Sequence, residues 1–310
     1  MDISKIVLGT GQFGSLSEKK NAFEVMERYL ALSGCTFDTA RVYGEDGASE
    51  KIVGEFVRTH GVRKDVIIVT KGAHHSISDE YRTPRLSESD IKSDLNKSLD
   101  ALKLDCVDIY LLHRDDPHRD VGEIAETMHG LVKSGLVKSI GVSNWKYDRI
   151  KSLNEYAKEH ALTPFTYNQV EFGRAVINLD YRPDPTLVSL NEAEYEKFAQ
   201  DDLGVRLMAY SAQSNGFFYK AAKSGVENLP EWLKAKFLNA GTLENLRLIS
   251  SVAKEIEATA ATAALASVIC DKLNIAAVVG ARTAPQIEEA MAALSLSTAV
   301  MRELSEKLKK

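Results

Sequence analysis

Residues 36–44 read TFDTARVYG and predict a short buried strand that ends in Asp38, followed by a turn that presents Tyr43. The next two apolar runs along the chain end in Lys71 and in His113. The carboxyl ends of the strands of a parallel barrel converge on one mouth, so these four polar side chains are expected to lie together. Each of them alone is more simply explained as a cap, a core residue or a solvated side chain, whereas the set favours a catalytic site.

A tyrosine at a strand end is an unusual catalyst. A phenol is neutral at working pH and can donate a proton, and a nearby ammonium would stabilise the phenolate that is left behind. Lys71 is the candidate for that ammonium, and Asp38 is suited to pair with it and hold it in place. The pattern therefore indicates a proton donor with a supporting ion pair.

Eight short apolar runs alternate with helical patterns along the chain. The runs are residues 6–8, 36–37, 66–70, 107–112, 139–142, 165–170, 205–209 and 275–279. Continuous apolar strands between helices favour a parallel sheet that is covered on both faces, and eight such units favour a (β/α)8 TIM barrel over an open doubly wound sheet. No linker or repeat interrupts the pattern, so residues 1–310 are predicted to form a single α/β domain.

Helical periodicity and capping residues predict several of the intervening helices. The predictions are a helix from about Ser49, one opened by a capping box of Ser87 and Asp90, one from Val121, one over residues 192–200, an alanine-rich one from about Thr262, the last barrel helix from residues 286–290, and a short amphipathic one over residues 301–310. Residues 216–218 are expected in a loop.

The composition excludes several classes of function. Of the 310 residues 44% are hydrophobic and 27% charged, which is ordinary for a globular protein, and a net charge of −5 gives no support to nucleic-acid binding. No apolar run approaches the roughly 20 residues that span a bilayer, and the N-terminus lacks the features of a signal peptide, so a cytoplasmic protein with no membrane partner is expected. Three scattered cysteines are typical of buried thiols in a reducing compartment, and the histidines lack metal-ligand spacing, so no metal is expected. Oligomeric state is not indicated.

Two glycine-containing segments are candidates for phosphate binding. Residues 9–14, GTGQFG, have glycines at the offsets of a dinucleotide fingerprint, but no helical pattern opens there, so a loop is expected. Residues 280–283, GART, precede a helix at the last strand, where barrels commonly bind phosphate. A plain strand-to-helix turn with a solvated Arg282 is an equally good explanation of that segment taken alone.

Taken together, the strand-end motifs resemble those of the aldo-keto reductase family. They are FDTARVYG, VTKG, YLLH, GVSNW, YNQVEF, MAYS and GARTAPQIEEA, in the order of that family and over nearly the whole chain. The resemblance implies a (β/α)8 barrel that binds NADP(H) in extended form across its mouth. It also implies NADP(H)-dependent reduction of an aldehyde or ketone, or the reverse oxidation of an alcohol.

The resemblance further implies a role for each matching residue. Tyr43 would be the proton donor, with Asp38, Lys71 and His113 in support; Ser143, Asn144 and Gln169 would hold the nicotinamide carboxamide, Tyr210 would stack on its ring, Ser211 would begin the pyrophosphate loop, and Gly280, Arg282 and Gln286 would bind the adenosine phosphate. Two departures are visible: Ala290 stands where the family often has Asn, and no Pro-Leu follows Ser211. Arg282 favours NADP(H) without excluding NAD(H).

Two other functions are compatible with parts of the pattern. A lysine that ends a barrel strand also suits a Schiff-base aldolase, with Lys71 as the nucleophile, but this leaves the nicotinamide set unexplained. A non-catalytic NADP(H)-binding regulatory subunit would keep that set without turnover.

The loops after the strands, which set specificity in a barrel, are rich in polar residues. They carry His74, His75, Arg114, Asp115, Asp116, His118, Arg174 and Asn178, against Trp145, Phe172, Phe217 and Phe218. We therefore expect a small polar carbonyl or alcohol substrate, such as a sugar, keto-sugar or polyol-like compound, with Arg114, Asp115 and Trp145 as contacts. A solvated rim that never meets substrate is an equally good explanation of these charges.

Overall fold

Eight parallel strands close into one barrel in the computed structural model, which describes residues 2–181 and 183–310. The strands are β1 (Ile6–Gly9), β2 (Thr36–Asp38), β3 (Ile67–Gly72), β4 (Val107–Leu112), β5 (Val137–Ser143), β6 (Phe165–Glu171), β7 (Arg206–Tyr210) and β8 (Ala276–Gly280). Each pairs with the next in the chain, and β8 pairs with β1. The predicted (β/α)8 barrel is confirmed.

Helices cover the outside of the barrel and extend beyond it at the C-terminus. Those in the described residues are α1 (Lys19–Ala31), α2 (Ala48–His60), α3 (Glu88–Leu102), α4 (Val121–Lys133), α5 (Tyr147–Glu159), α6 (Glu192–Gln200), α7 (Phe217–Ser224), α8 (Glu231–Phe237), α9 (Ala240–Glu255), α10 (Ala260–Ile269), α11 (Ala284–Met291) and α12 (Thr298–Lys307). None of these helices is long and apolar enough to cross a membrane.

Alternation along each strand explains why the strand sequences are almost continuously apolar. Val7, Val69, Ile109 and Met208 belong to a small apolar cluster, while neighbouring strand residues pack against the helices in the large one. Both faces of the sheet are therefore buried, as expected for a parallel barrel.

Register brings the polar strand ends to one rim. Gly9 pairs with both Asp38 and Gly280 across β1, and Ser143 pairs with Gln169. Residues far apart in the chain thus reach the same level of the barrel.

Most predicted helices lie where the periodicity placed them. The hydroxyl of Ser87 accepts a hydrogen bond from the backbone of Asp90, so the predicted cap of α3 is confirmed. Helix α1 escaped sequence analysis, because its buried residues are interrupted by charged ones and no capping side chain opens it.

The prediction of a loop over residues 216–218 was wrong. Phe217 and Phe218 begin α7 and are fully buried in the main core. A left-handed Gly216, with φ at 78°, turns the chain into this short helix. These two rings therefore stabilise the fold and do not form an open apolar wall for substrate.

Candidate active site

The turn that carries Tyr43 is pinned along β3. The backbone N–H of Thr39 donates to the carbonyl of Val69 at 2.8 Å, and that of Arg41 donates to the carbonyl of Lys71 at 2.9 Å. The turn therefore continues the pairing of β2 beyond its end and sets Tyr43 beside the end of β3.

Helix α2 holds the other end of this turn. The backbone N–H of Ser49 donates to the carbonyl of Tyr43 at 3.2 Å, and its hydroxyl donates to the carbonyl of Thr10 at 2.9 Å. The neighbouring Glu50 is fully buried and accepts a 2.6 Å hydrogen bond from Thr70, the residue before Lys71. Buried polar contacts at both ends thus leave the turn little freedom.

The ammonium of Lys71 is fully buried and donates three hydrogen bonds. They reach Asp38 Oδ2 at 2.8 Å, the carbonyl of Thr39 at 2.9 Å and the hydroxyl of Tyr43 at 3.2 Å. All three N–H groups of the ammonium therefore have an acceptor. Three of the four residues predicted from strand ends are in direct contact.

Charge keeps this lysine protonated. Burial lowers the pKa of Lys71, but the negative charge of Asp38 and the hydrogen bonds to Asp38 and Tyr43 outweigh burial, so that the pKa is raised above its ordinary value. A cation thus lies beside the phenol oxygen at working pH.

His113 completes the set at the end of β4. Its ring lies edge-on to that of Tyr43, with 5.7 Å between centroids and 83° between planes. Burial, followed by the charges of Lys71 and Arg114, lowers the pKa of His113 well below its ordinary value, so the ring is neutral.

The surroundings of His113 select its tautomer. Nδ1 is buried without a hydrogen-bond partner among the described residues, whereas Nε2 is solvent-accessible. A proton on Nε2 leaves only a lone pair unpaired at Nδ1, which costs less than a buried unpaired N–H. His113, whose ring contacts that of Tyr43, therefore presents an accessible N–H donor.

Gln169, at the end of β6, is buried, yet it keeps one side-chain acceptor unengaged among the described residues. Its Nε2 donates to Asp38 Oδ1 at 2.8 Å, while its Oε1 has no partner among the described residues and is accessible. The amide thus offers one fixed acceptor to a ligand.

Ser143 and Asn144 are tied to protein groups. The hydroxyl of Ser143 donates to the carbonyl of Gln169 at 2.8 Å, and Asn144 donates to the carbonyl of His113 at 3.2 Å. Asn144 Oδ1 accepts from the hydroxyl of Tyr210 at 2.8 Å. These residues fix one another, and a direct contact with a ligand would need one of their bonds to be shared or exchanged.

The predicted phosphate end carries two cations without acidic partners. Arg282 Nε donates to Oε1 of Gln12 at 2.8 Å, and the backbone N–H of Arg282 donates to Oε1 of Gln286 at 2.8 Å. Burial and, as a smaller contribution, the positive charge of nearby Arg282 lower the pKa of Lys220 on α7. Neither cation forms an ion pair with a described residue, so the cluster is suited to an anion. Gly280 lies at the adjoining end of β8, where a Cβ would come within 4.0 Å of the Gln12 side chain.

Sequence analysis missed Gln12 and Lys220. Gln12 lies in the loop after β1, and Lys220 lies in a segment predicted to be irregular, so neither had a local signal. Their proximity to Arg282 follows only from the closure of the barrel.

The segment after β7 has an unusual backbone. Ser211, Ser214 and Asn215 have φ of 56°, 50° and 54°. This left-handed conformation is uncommon for residues other than glycine. The backbone N–H of Ser214 donates to the carbonyl of Ser211 at 2.7 Å. It is the segment that lacks the family's Pro-Leu.

The predicted substrate contacts are less open than expected. Arg114 donates to Thr186 at 2.9 Å and lies 3.5 Å from Asp184, both on the loop after β6. Asp115 pairs with Arg149 at 3.4 Å. The charges of Arg114 and Asp115 are therefore already paired within the protein. The role of these two residues in binding substrate stays a prediction.

Trp145 is fully buried, and its role as a substrate contact stays a prediction. The guanidinium of Arg149 lies over its ring at 5.2 Å. The Trp145 ring is covered by Arg149 and packs in the main hydrophobic core.

The closed parallel barrel thus places Asp38, Lys71, His113 and, in the turn after β2, Tyr43 at the carboxyl ends of its strands, where barrel enzymes have their active sites. The chain belongs to the aldo/keto reductase family, since the model of that family matches residues 5–309. It is accordingly an oxidoreductase of a family that acts on carbonyl compounds with nicotinamide cofactors.

Characterised and uncharacterised relatives match over most of their length. The chain is 26% identical to the uncharacterized oxidoreductase YrpG of Bacillus subtilis strain 168, over 95% of this chain and 88% of the relative. It is 28% identical to the norsolorinic acid reductase stcV of Emericella nidulans, over 95% and 75%. It is 26% identical to the NADP(+) aldo-keto reductase yakc of Schizosaccharomyces pombe, over 95% and 84%.

Proposed function

We propose that the protein is an NADP(H)-dependent reductase of aldehydes or ketones, or the reverse alcohol dehydrogenase. The observation that carries the proposal is the contact of the Lys71 ammonium with both Asp38 and the hydroxyl of Tyr43, beside the open Nε2 of His113. The phenol of Tyr43 can donate its proton in this setting, because the ammonium of Lys71 stabilises the phenolate that remains.

Within this mechanism, Tyr43 donates its phenol proton to the carbonyl oxygen. Lys71 stabilises the resulting phenolate, and Asp38 balances the charge of Lys71 so that the ammonium tolerates complete burial. The Nε2–H of His113 donates to the same oxygen, where negative charge develops in the transition state. The nicotinamide cofactor supplies the hydride when it is bound.

The polar residues around the barrel mouth fit such a cofactor. Oε1 of Gln169 is an open acceptor for the carboxamide N–H, with Ser143 and Asn144 fixing its surroundings, and Tyr210 is held by Asn144 with its ring partly exposed. Ser211 and the left-handed segment after it suit the pyrophosphate.

Arg282 and Lys220 support NADP(H) over NAD(H). Two unpaired cations beside Gln286 suit the extra phosphate, which NAD(H) lacks. The use of NADP(+) by the relative yakc of Schizosaccharomyces pombe agrees with this choice.

The geometry disfavours the Schiff-base aldolase. A lysine nucleophile must be a neutral amine with a free lone pair, whereas the Lys71 ammonium donates to three acceptors and its pKa is raised. A regulatory cofactor-binding subunit remains the second candidate, because its site would look the same while turnover is slow.

We propose a small, polar carbonyl compound as substrate. The rings of His74, His113 and Tyr43 and the charges of Arg114 and Asp184 form a largely polar neighbourhood. The buried Phe217, Phe218 and Trp145 leave little open apolar wall for a long alkyl chain.

The test is oxidation of NADPH with a panel of small aldehydes and ketones, after binding of NADPH has been measured by fluorescence. Turnover with at least one polar carbonyl is expected. Binding of NADPH with no oxidation by any member of the panel would contradict the reductase and favour the regulatory subunit.

A further inference from the structure

His74 takes no part in the proposed proton transfer, yet it lies at the centre of the site. Its ring contacts that of His113 edge-on, with 4.8 Å between centroids and 74° between planes. The ring of His113 thus contacts both that of Tyr43 and that of His74.

The protonation of His74 follows from its contacts. Nδ1 lies 2.6 Å from the carbonyl oxygen of His75, and because a carbonyl only accepts, Nδ1 carries the hydrogen. Burial, followed by the charge of Arg114, lowers the pKa of His74 to about 4, so the ring is neutral at pH 7. Nε2 is therefore a lone-pair acceptor.

This acceptor is open. Nε2 of His74 has no hydrogen-bond partner in residues 2–181 or 183–310, and it is not among the sealed polar atoms. The charged groups nearby are already satisfied, since Arg114 and Asp184 pair with each other. His74 is thus a neutral acceptor without a partner among the described residues, and its ring contacts that of His113.

Several contacts hold the backbone at His74 in position. The preceding Ala73 has a left-handed φ of 61° and donates its N–H to Asp94 at 2.9 Å. Arg85 donates to the carbonyl of His74 at 3.1 Å and is itself held by Asp90 and Asp94. A strained residue persists only where its surroundings determine it, so the ring is preorganised.

We infer that Nε2 of His74 accepts a hydrogen bond from a hydroxyl group on the carbon next to the reacting carbonyl, so that the preferred substrates are α-hydroxy ketones and aldehydes. The inference rests on the proposed reductase function. Tyr43 and His113 bind the carbonyl oxygen through hydrogens, whereas the neighbouring acceptor needs a donor on the substrate. An alkyl or ether group at that carbon would leave the acceptor desolvated and unpaired.

Three ketones separate this role from general reactivity. Hydroxyacetone offers the hydroxyl donor, methoxyacetone keeps the electron-withdrawing oxygen without the donor, and butanone replaces the hydroxyl with a methyl group. Intrinsic reactivity cancels when the ratio of kcat/KM values is compared between variants. The variants are His74→Phe, which keeps a ring but removes the acceptor, and His74→Gln, which restores an acceptor at similar reach.

In the wild type we expect kcat/KM to favour hydroxyacetone over methoxyacetone by about tenfold, the range of one neutral hydrogen bond. His74→Phe should remove this preference while changing butanone by less than about threefold, and His74→Gln should restore part of it. Nitrogen-15 NMR of the histidine rings, a readout independent of turnover, should show an unprotonated Nε2 at His74.

A preference unchanged in His74→Phe, or a protonated Nε2, would overturn the role of His74 and leave the reductase function intact. A protein that binds NADPH but reduces none of the three ketones nor any member of the broader carbonyl panel would overturn both proposals. Equal losses for all three ketones in His74→Phe would show that the ring only supports His113, against the inference.

Discussion

The side-chain nitrogen of Gln169, on β6, donates a 2.8 Å hydrogen bond to Oδ1 of Asp38, on β2. Oδ2 of the same carboxylate accepts from Nζ of Lys71 at 2.8 Å. One carboxylate therefore couples the proposed carboxamide contact to the ammonium that supports Tyr43.

We expect Asp38→Asn to damage stability and turnover together. It leaves a fully buried ammonium without its counter-charge, which costs about 3–5 kcal/mol of unfolding free energy, and it lowers kcat because Lys71 and Gln169 lose their common anchor. Chemical denaturation and steady-state kinetics measure the two effects. Asp108→Asn is the control, since Asp108 pairs with Arg63 and Lys138 at the other end of the barrel and its loss should leave kcat unchanged. A fall in kcat of the same size in the control would contradict the coupling.

Tyr43→Phe should lower kcat about a hundredfold to ten-thousandfold and leave the Kd of NADPH within about threefold. It removes the proton donor while keeping the ring, and general acid catalysis contributes about 10²–10⁴-fold. Stopped-flow turnover and fluorescence titration with NADPH measure the two quantities. Substantial activity in this variant would show that another group donates the proton.

Arg282→Gln and Lys220→Gln should each raise the KM for NADPH about tenfold or more while changing that for NADH less than about threefold. Each removes a charged donor from the proposed phosphate contact, and such hydrogen bonds contribute about 1.5–3 kcal/mol. Lys223→Gln, which removes a charge from the same helix α7, should change neither. Equal effects on both cofactors would place the two cations away from the extra phosphate.

Stability should fall as the pH drops from about 6.5 toward 4. The ordinary pKa of 6.5 applies to histidine in the unfolded chain, whereas burial and the charge of Arg114 lower the pKa of folded His74 to about 4. The unfolded chain therefore takes up a proton in this window that the folded protein does not, and unfolding is favoured as pH falls. The pKa values of His113 and His75 are lowered as well, so both residues change stability in the same direction. The negative charge of Asp184 partly counteracts the lowering of the His74 pKa.

The measurement is the denaturation midpoint as a function of pH. His74→Phe should show a shallower decline across this window than the wild type, because one fewer group is protonated on unfolding. Parallel curves for the two proteins would contradict the depressed pKa of His74.

Arg174→Met should cost about 3–5 kcal/mol of unfolding free energy. Arg174 is fully buried, lies 3.0 Å from Asp271 and donates to Ser305 at 2.7 Å, so it joins the loop after β6 to α12 and the end of α10. Removing Arg174 leaves the buried carboxylate of Asp271 with the more distant Lys310, at 3.5 Å, as its cationic partner among the described residues.

The comparison variant is Arg247→Met, whose partner Glu244 and its own side chain are 45% and 66% exposed. An exposed pair of this kind contributes about 0–1 kcal/mol. Adding Asp271→Leu to Arg174→Met should recover part of the lost unfolding free energy. Similar costs for Arg174→Met and Arg247→Met would contradict the role of Arg174 as a buried ion-pair partner.

The architecture and the central catalytic candidates could be predicted from local pattern. The eight apolar runs are buried on both faces and alternate with helices, so they are visible in the sequence itself, and Asp38, Lys71 and His113 stand where those runs end. Tyr43 follows in a turn whose backbone is fixed by β3. Family motifs add the expected roles of Ser143, Gln169 and Arg282.

Other features had no local signal. Helix α1 was missed because its apolar face is interrupted, and Phe217 and Phe218 were taken for loop residues. In each case burial depends on neighbours that are distant in the chain.

The sequence by itself determined the barrel, its strand order and the residues at the strand ends, because these depend on the periodicity of apolar residues and on short segments. Only the tertiary structure decided which polar atoms are engaged and which are open. Gln12 contacts Arg282 where β1 pairs with β8 to close the barrel, and Arg114 pairs with Asp184 across two loops. Nε2 of His74, whose ring contacts that of His113, has no hydrogen-bond partner among the described residues. The physical reason is that hydrogen bonding and desolvation depend on three-dimensional neighbours, which a linear pattern does not specify.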